Sequence, residues 1–420
     1  MAQTRLAKLV LQNFKSVPFA SIDFSEMNFW VGRNGSGKSN IADAFAFLSE
    51  AMEQPLQSVI NRRGGAHNVA HRRPIHAPNA GPNRIDKEVI PLGFAVEFSS
   101  LPFYQRDSDR VVRARYAVEI STSRRGFSVS KEQCFVQTQD GKIAWFERNS
   151  FGIRTNIEYL KGMPANFISE DSLMMQIFGG IIDFAFLKQA IISMAVYSIE
   201  PSTLREFQDH DPGTRLLPDG SNSASVLDRL SKASPAQFKR LLEIMASIIP
   251  DLEEVRSVAV GRKQSLRFYQ GWYSKEFGRE RLFFDAFNMS DGTLRSFGIL
   301  LAIFQNPRPS LILIEEPETS IHPGATSALL ELLRSVSADS QVVVTTHSPE
   351  VLDHAISEDV IRVVSWHRGS TRVDGIYGAA KEALRKDLCG AGELFRMRIL
   401  DAPSIFDTEV IRAPLFEVLE

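Results

Sequence analysis

Cysteine is scarce in this sequence: two, Cys134 and Cys389, in 420 residues. That excludes a disulfide framework and a cysteine-rich metal cluster, and it suits a reducing cytosol. Neither charge is in surplus, since 48 Lys and Arg face 50 Asp and Glu, a formal net charge of -2. A near-neutral balance gives no global pull toward nucleic acid or an anionic membrane, so any nucleic-acid contact must come from a local patch. Long apolar runs are missing too. No stretch approaches the roughly 18 apolar residues of a membrane span. The most apolar run, 181–195, is short and carries Asp183 and Lys188. The opening MAQTRLAKLVLQNFKS lacks the apolar core of a secretory signal. There is no internal repeat and no heptad run long enough for a coiled coil. The expectation is a soluble, cytoplasmic protein without a membrane partner, and its 44% apolar content is ample for one large core or two lobes.

What is present is organised in blocks. Residues 6–11 and 27–31 read as strands. A helix is predicted from about Lys38, with Ile41, Ala44, Phe45 and Leu48 at the spacing of one buried face. Gly64, Gly65, Pro74, Pro78, Gly81 and Pro82 make 61–87 a predicted loop. Short, partly alternating runs predict strands over 92–148. Residues 150–250 read as mostly helical, 237–249 most clearly, and strands return over 253–288. Then helix and strand alternate: 293–304, 311–314, 325–336, 342–345, 349–355 and 360–365. Such alternation argues a parallel sheet with helices on its faces.

Four motifs carry chemistry. Gly32-Arg33-Asn34-Gly35-Ser36-Gly37-Lys38-Ser39 fits G-x-x-x-x-G-K-S between an apolar strand and an amphipathic helix. Glycines let the backbone curl until several N–H groups converge on phosphate oxygens, and the helix N-terminus favours the same anion. Lys38 would add a point charge, Ser39 a hydroxyl for Mg2+, and Asn40 would close the binding segment. Leu311-Ile312-Leu313-Ile314-Glu315-Glu316 is a buried strand delivering two acids at its carboxyl end, where α/β sheets bind ligands. Glu315 would hold Mg2+ and Glu316 would polarise the attacking water. Met289-Ser290-Asp291-Gly292-Thr293 stands before an apolar helix, either as a plain N-cap or as a donor set for an anion. Val342-Val343-Val344-Thr345-Thr346-His347 is a strand ending in a histidine able to bond a phosphate or a water.

In this order the motifs resemble the ATPase heads of the ABC type, in the SMC/RecF/OLD-like group. Ser290, Asp291, Gly292 and Thr293 look like the signature, and His347 looks like the switch histidine. The series Glu315-Glu316-Pro317-Glu318, followed by His322-Pro323, is more similar to SMC, RecF and OLD heads than to transporter subunits. Leu11-Gln12-Asn13-Phe14-Lys15-Ser16, Asp219-Gly220-Ser221-Asn222 and Gly392-Glu393-Leu394-Phe395 resemble further elements of stand-alone members. Among Gln133, Gln137 and Gln139 no Q-loop residue is singled out.

The resemblance implies an α/β fold: a P-loop NTPase of ABC-ATPase type, its mixed central sheet flanked by helices, with an added β-rich and helical lobe. The core would be 1–65 with 280–365, the lobe 88–280, and a short αβ tail 366–420. It implies ATP and Mg2+ as ligands, catalytic Glu316 and His347, and a signature acting in trans across a homodimer or higher homo-oligomer. The insert is too short for a chromosome tether, and about 55 residues after Ser365 are too few for a nuclease domain, so a separate effector, a nuclease or toxin in anti-phage defence, is expected. One alternative is a RecF-like DNA-binding repair ATPase. Another is a scaffold that binds ATP without hydrolysing it. Arg62, Arg63, Arg72, Arg73, Arg84 and Lys87 make the 61–87 segment a candidate DNA or RNA contact, or else a solvated loop or an internal site where Arg62 and Arg63 pair with acids. His67, His71 and His76 do not form a zinc spacing.

Overall fold

The computed structural model of the chain describes residues 4–71, 91–101, 110–123, 126–164, 167–274, 278–356, 360–386, 388–400 and 413–419. These fall into two compact units, Met1–Met194 with Ala355–Glu420, and Ala195–His354.

The first unit holds a seven-stranded sheet. In spatial order its strands are Val17–Asp23, Arg5–Phe14, Leu92–Ser100, Val111–Ser123, Gly126–Thr138, Ile143–Asn149 and Gly152–Thr155. Every ladder in it is antiparallel. Helix Lys38–Glu53 buries the face its spacing predicts, including Ile41, Ala44, Phe45 and Leu48. Its Phe47 stacks on Phe94 at 4.9 Å and meets Phe14 edge-on at 5.7 Å, which fixes the helix against the sheet. Strand Met27–Val31, buried throughout, runs parallel to Ile361–His367, which turns back into Ser370–Asp374. Helices Gly378–Arg385 and Ala391–Arg396 follow, the second carrying Gly392 and Leu394 inside. Residues 413–419 return to the large sheet. Leu415 fills a cluster with Val10, Ala95 and Ala117, and Gln133 exchanges two hydrogen bonds with the Glu417 backbone.

The loop predicted for 61–87 is corrected over its first part. Helix Leu56–Arg62 runs into it, and Ala66–Val69 forms another short helix. Gly64 and Gly65, at φ 82° and 95°, make only the turn between them. The rest of that segment, with Arg72, Arg73, His76, Arg84 and Lys87, lies outside the described residues.

In the second unit, strands Leu311–Glu315 and Gln341–Thr346 pair in parallel. Helix Asp291–Phe304 is buried on all sides from Ser296 onward. Helix Pro323–Ser337 covers the strands with Leu329, Leu330 and Leu333. A three-stranded antiparallel sheet, Leu252–Val260, Lys263–Ser274 and Gly278–Asp285, packs Phe268 on Phe297. Helices Ser223–Ala233 and Pro235–Ile248 complete the unit. The mostly helical reading of 150–250 missed two short strands, Gly152–Thr155 and Met194–Tyr197; four residues are too few to set up a visible alternation. Among the described residues no helix is long and apolar enough to cross a membrane.

Candidate functional site

The P-loop lies between the buried strand Met27–Val31 and helix Lys38–Glu53. Its three glycines are needed for different reasons. A Cβ on Gly32 would sit 2.1 Å from the Val364 carbonyl oxygen, so close approach of the chain excludes it. Gly35 has open space but a φ of 76°. Gly37 has both constraints, a φ of 103° and Thr371 Oγ1 at 1.9 Å from a built Cβ. Two left-handed residues one apart make successive N–H groups converge, the geometry of an anion nest. Lys38 begins the helix, is 6% exposed, and donates to the carbonyls of Gly32 at 2.7 Å and Arg33 at 3.2 Å. Arg33, Asn34, Gly35 and Ser39 are exposed on the loop's rim.

A chain of hydroxyls and one amide holds this loop in shape. Asn40 Nδ2 donates to Ser16 Oγ at 2.6 Å. Ser16 Oγ meets Thr371 Oγ1 at 2.7 Å, and Thr371 Oγ1 donates to the Ser36 carbonyl at 2.9 Å. The side chain of Asn40 is therefore directed at Ser16. Thr371, in the hairpin after the last motif, was invisible to sequence reasoning. Ser16 was quoted in a motif without a role.

Below the same helix, Arg63 is 9% exposed and binds both Asp43 oxygens and Glu50. Burial works against the Asp43 carboxylate, but Arg63 and Lys15 outweigh it and hold its pKa below the usual value. His71 Nδ1 bonds the Lys15 carbonyl oxygen at 2.8 Å. Arg63 is thus an internal cation, not a phosphate contact, which corrects the nucleic-acid reading at that residue.

The carboxylate half belongs to the second unit. Strand Leu311–Glu315 is buried up to Ile314 and emerges at Glu315. Glu316 then turns to a φ of 45°, its N–H bonded to the Thr345 carbonyl at 3.0 Å. Arg295, from the signature helix, donates to the carbonyls of Glu315 at 3.1 Å and Glu316 at 3.0 Å, pinning the acidic turn. Burial lowers the Arg295 pKa against the pull of Glu318 and Glu316. His347 Nδ1 lies 3.4 Å from Glu316 and 3.8 Å from Glu318. The sequence put Glu316 and His347 about 30 residues apart with matching roles; the structure adds Glu318 and Arg295.

Ser290 is a true N-cap, accepting from the Thr293 N–H at 3.2 Å and donating to Thr293 Oγ1 at 2.9 Å. Asp291 pairs with Arg205. A Cβ on Gly292 would lie 2.5 Å from the Ser320 carbonyl oxygen, so the signature turn rests on the turn after the paired acids. His322 caps helix Pro323–Ser337 through Nδ1, accepting from Gly324 N at 3.2 Å.

Ser39 and Glu315, the expected metal ligands, belong to different units. Among the described residues no three His, Cys, Asp or Glu side chains gather into a metal cage. A hydroxyl and a carboxylate are each hard oxygen donors of the kind Mg2+ takes.

Two family models match the chain. The one described as "AAA ATPase domain" covers residues 5–166, and the one described as "AAA domain, putative AbiEii toxin, Type IV TA system" covers 184–353. The DNA replication and repair protein RecF of Francisella tularensis subsp. novicida (strain U112) is 47% identical over 60 residues, 13% of this chain and 17% of the relative. Endonuclease GajA of Bacillus cereus (strain VD045) is 33% identical over 99 residues, 22% of this chain and 17% of the relative. The chain thus matches about a sixth of either relative's length. Among solved structures, an Smc head bound to the C-terminal domain of ScpA, from Pyrococcus furiosus, has a TM-score of 0.49 at 14% identity, covering 92% of this chain and 99% of that one. The SMC head domain from Thermotoga maritima has a TM-score of 0.40 at 16% identity, covering 89% of this chain and 100% of that one.

Proposed function

We propose that the chain is an ATPase head of the ABC type, in the SMC/RecF/OLD-like group, that hydrolyses ATP and acts as a switch closed by the nucleotide; the two AAA family models, over 5–166 and 184–353, support an ATPase. The observation that carries this reading is the pairing of Glu316 with His347 at the ends of adjacent parallel strands, 3.4 Å apart. Mg2+, held by Ser39 and Glu315, would neutralise phosphate charge. Lys38 and the P-loop amides bind the phosphates. Glu316 draws the proton from the attacking water, and His347 steadies that water or the terminal phosphate.

Ser290, Asp291, Gly292 and Thr293 act in trans. A second copy brings them to the terminal phosphate, ATP joins two head-to-tail copies, and hydrolysis removes the charge-assisted bonds that held them. The output is control of a separate effector in anti-phage defence. The toxin and Type IV TA wording of one family model and the short stretch shared with an endonuclease support that reading. The stretch shared with RecF favours the alternative of a DNA-linked ATPase, recognised by DNA-stimulated turnover with a steep salt dependence.

The test is Glu316→Gln. Binding of ATP at parent affinity, with hydrolysis reduced by about 100-fold or more and an ATP-dependent oligomer in sedimentation, is the expected result. Hydrolysis at the parent rate removes Glu316 from the chemistry.

A further inference from the structure

Glu318 has no part in the scheme above, yet its carboxyl is better buried than that of Glu316, 12% exposed against 33%. Its Oε1 accepts the Thr346 hydroxyl at 2.6 Å. That hydroxyl accepts in turn from Ser348 N at 2.9 Å, and Thr346 is fully buried, so the carboxyl is fixed from the strand that ends at His347. Glu318 Oε2 is buried without a hydrogen-bond partner, and so is Arg295 Nε.

His347 Nδ1 faces two carboxylate oxygens at 3.4 and 3.8 Å, just beyond bonding length. An ionised carboxylate only accepts, so Nδ1 must carry the ring hydrogen in the neutral imidazole and Nε2 must present its lone pair. A small turn of the ring gives Nδ1–H to one acid or the other. If Glu316 takes it, the base is occupied. If Glu318 takes it, the ring does not engage Glu316.

We propose that Glu318 is a positioning residue which, anchored by Thr346, takes the Nδ1–H of His347, sets the ring's tautomer and keeps the ring off Glu316. The inference rests on the reading of Glu316 as the base. The ring is steered by the acid that Thr346 immobilises, while the acid that must move a proton is kept out of that bond. Glutamine at 318 presents an amide that either donates or accepts, so it no longer dictates the tautomer.

The experiment is nitrogen NMR of 15N-histidine-labelled full-length protein without nucleotide, with the His347 signal assigned by its loss in His347→Gln. Wild type is expected in the Nδ1–H form. Glu318→Gln shifts the signal toward the Nε2–H form and lowers kcat about 10-fold or more at little change in KM. Glu318→Asp recovers part of both. Thr346→Val, which removes the anchor together with the acceptor of Ser348 N, moves both readouts the same way by less. An Nε2–H ring in wild type overturns the inference whatever the variants do. An unchanged signal and kcat in Glu318→Gln overturns it too, while Glu316→Gln still blocks hydrolysis and the base reading stands. If Glu316→Gln turns over normally, the base reading falls instead.

Discussion

Arg63 illustrates how a charged residue in a basic stretch is decided by its neighbours. It grips Asp43 through two nitrogens and Glu50 through a third contact, with its guanidinium 5.3 Å from the Phe47 ring centre. Arg63→Ala leaves Asp43 to Lys15 and Glu50 to the exposed Arg62, so we expect a loss of about 2–3 kcal/mol of stability, below the range for a fully buried pair because the acids keep these cations and some water. Thermal or urea unfolding measures it. Asp43 titrates lower folded than unfolded, so its contribution is complete above the unfolded value near 3.8 and fades as pH falls through the lowered folded value. The gap between wild type and variant therefore closes in acid. Nucleic-acid affinity lost in Arg63→Ala at unchanged stability would instead restore the surface-contact reading.

At the scale of elements, the hairpin Ile361–His367 and Ser370–Asp374 acts as a clamp on the P-loop. Thr371 is fully buried and its hydroxyl serves both Ser36 and Ser16. Thr371→Val keeps the shape and strands those two groups, so a loss of about 1–3 kcal/mol and several-fold weaker nucleotide binding are expected by calorimetry. The signature turn gives a separate prediction. Gly292→Ala pushes against the Ser320 backbone. Turnover should fall about 10-fold or more while ATP binding by the P-loop holds, since the substitution disturbs this turn and the one after the paired acids but not the P-loop; equal loss of both contradicts that role. These elements also show what a sequence can tell. The P-loop, the paired acids and the histidine were legible because each is local chemistry on a run of strand or helix with its own period. The Ser16–Thr371 link was not, since it joins residues 355 apart. Nor was the roofing of Glu316 by Arg295, because an arginine in an apolar helix declares a partner only once the helix is packed. Over the described part of 61–87, the glycines signalled the bend at Gly64 and Gly65 but not the short helices on either side of it.

Across the molecule, one described unit carries the P-loop segment, and the other carries the paired acids, His347 and the Ser290–Thr293 segment. The central claim is that a signature completes the site of another copy. Lys38→Ala removes the phosphate cation, and Ser290→Arg blocks the signature, so each variant alone should be inactive. In a mixed oligomer, a chain with an intact P-loop meets a chain with an intact signature. We therefore measure ATP hydrolysis of the two variants mixed in equal amounts. The account predicts turnover well above the sum of the separate proteins; a mixture no more active than that sum, with mixed oligomers present, would contradict it.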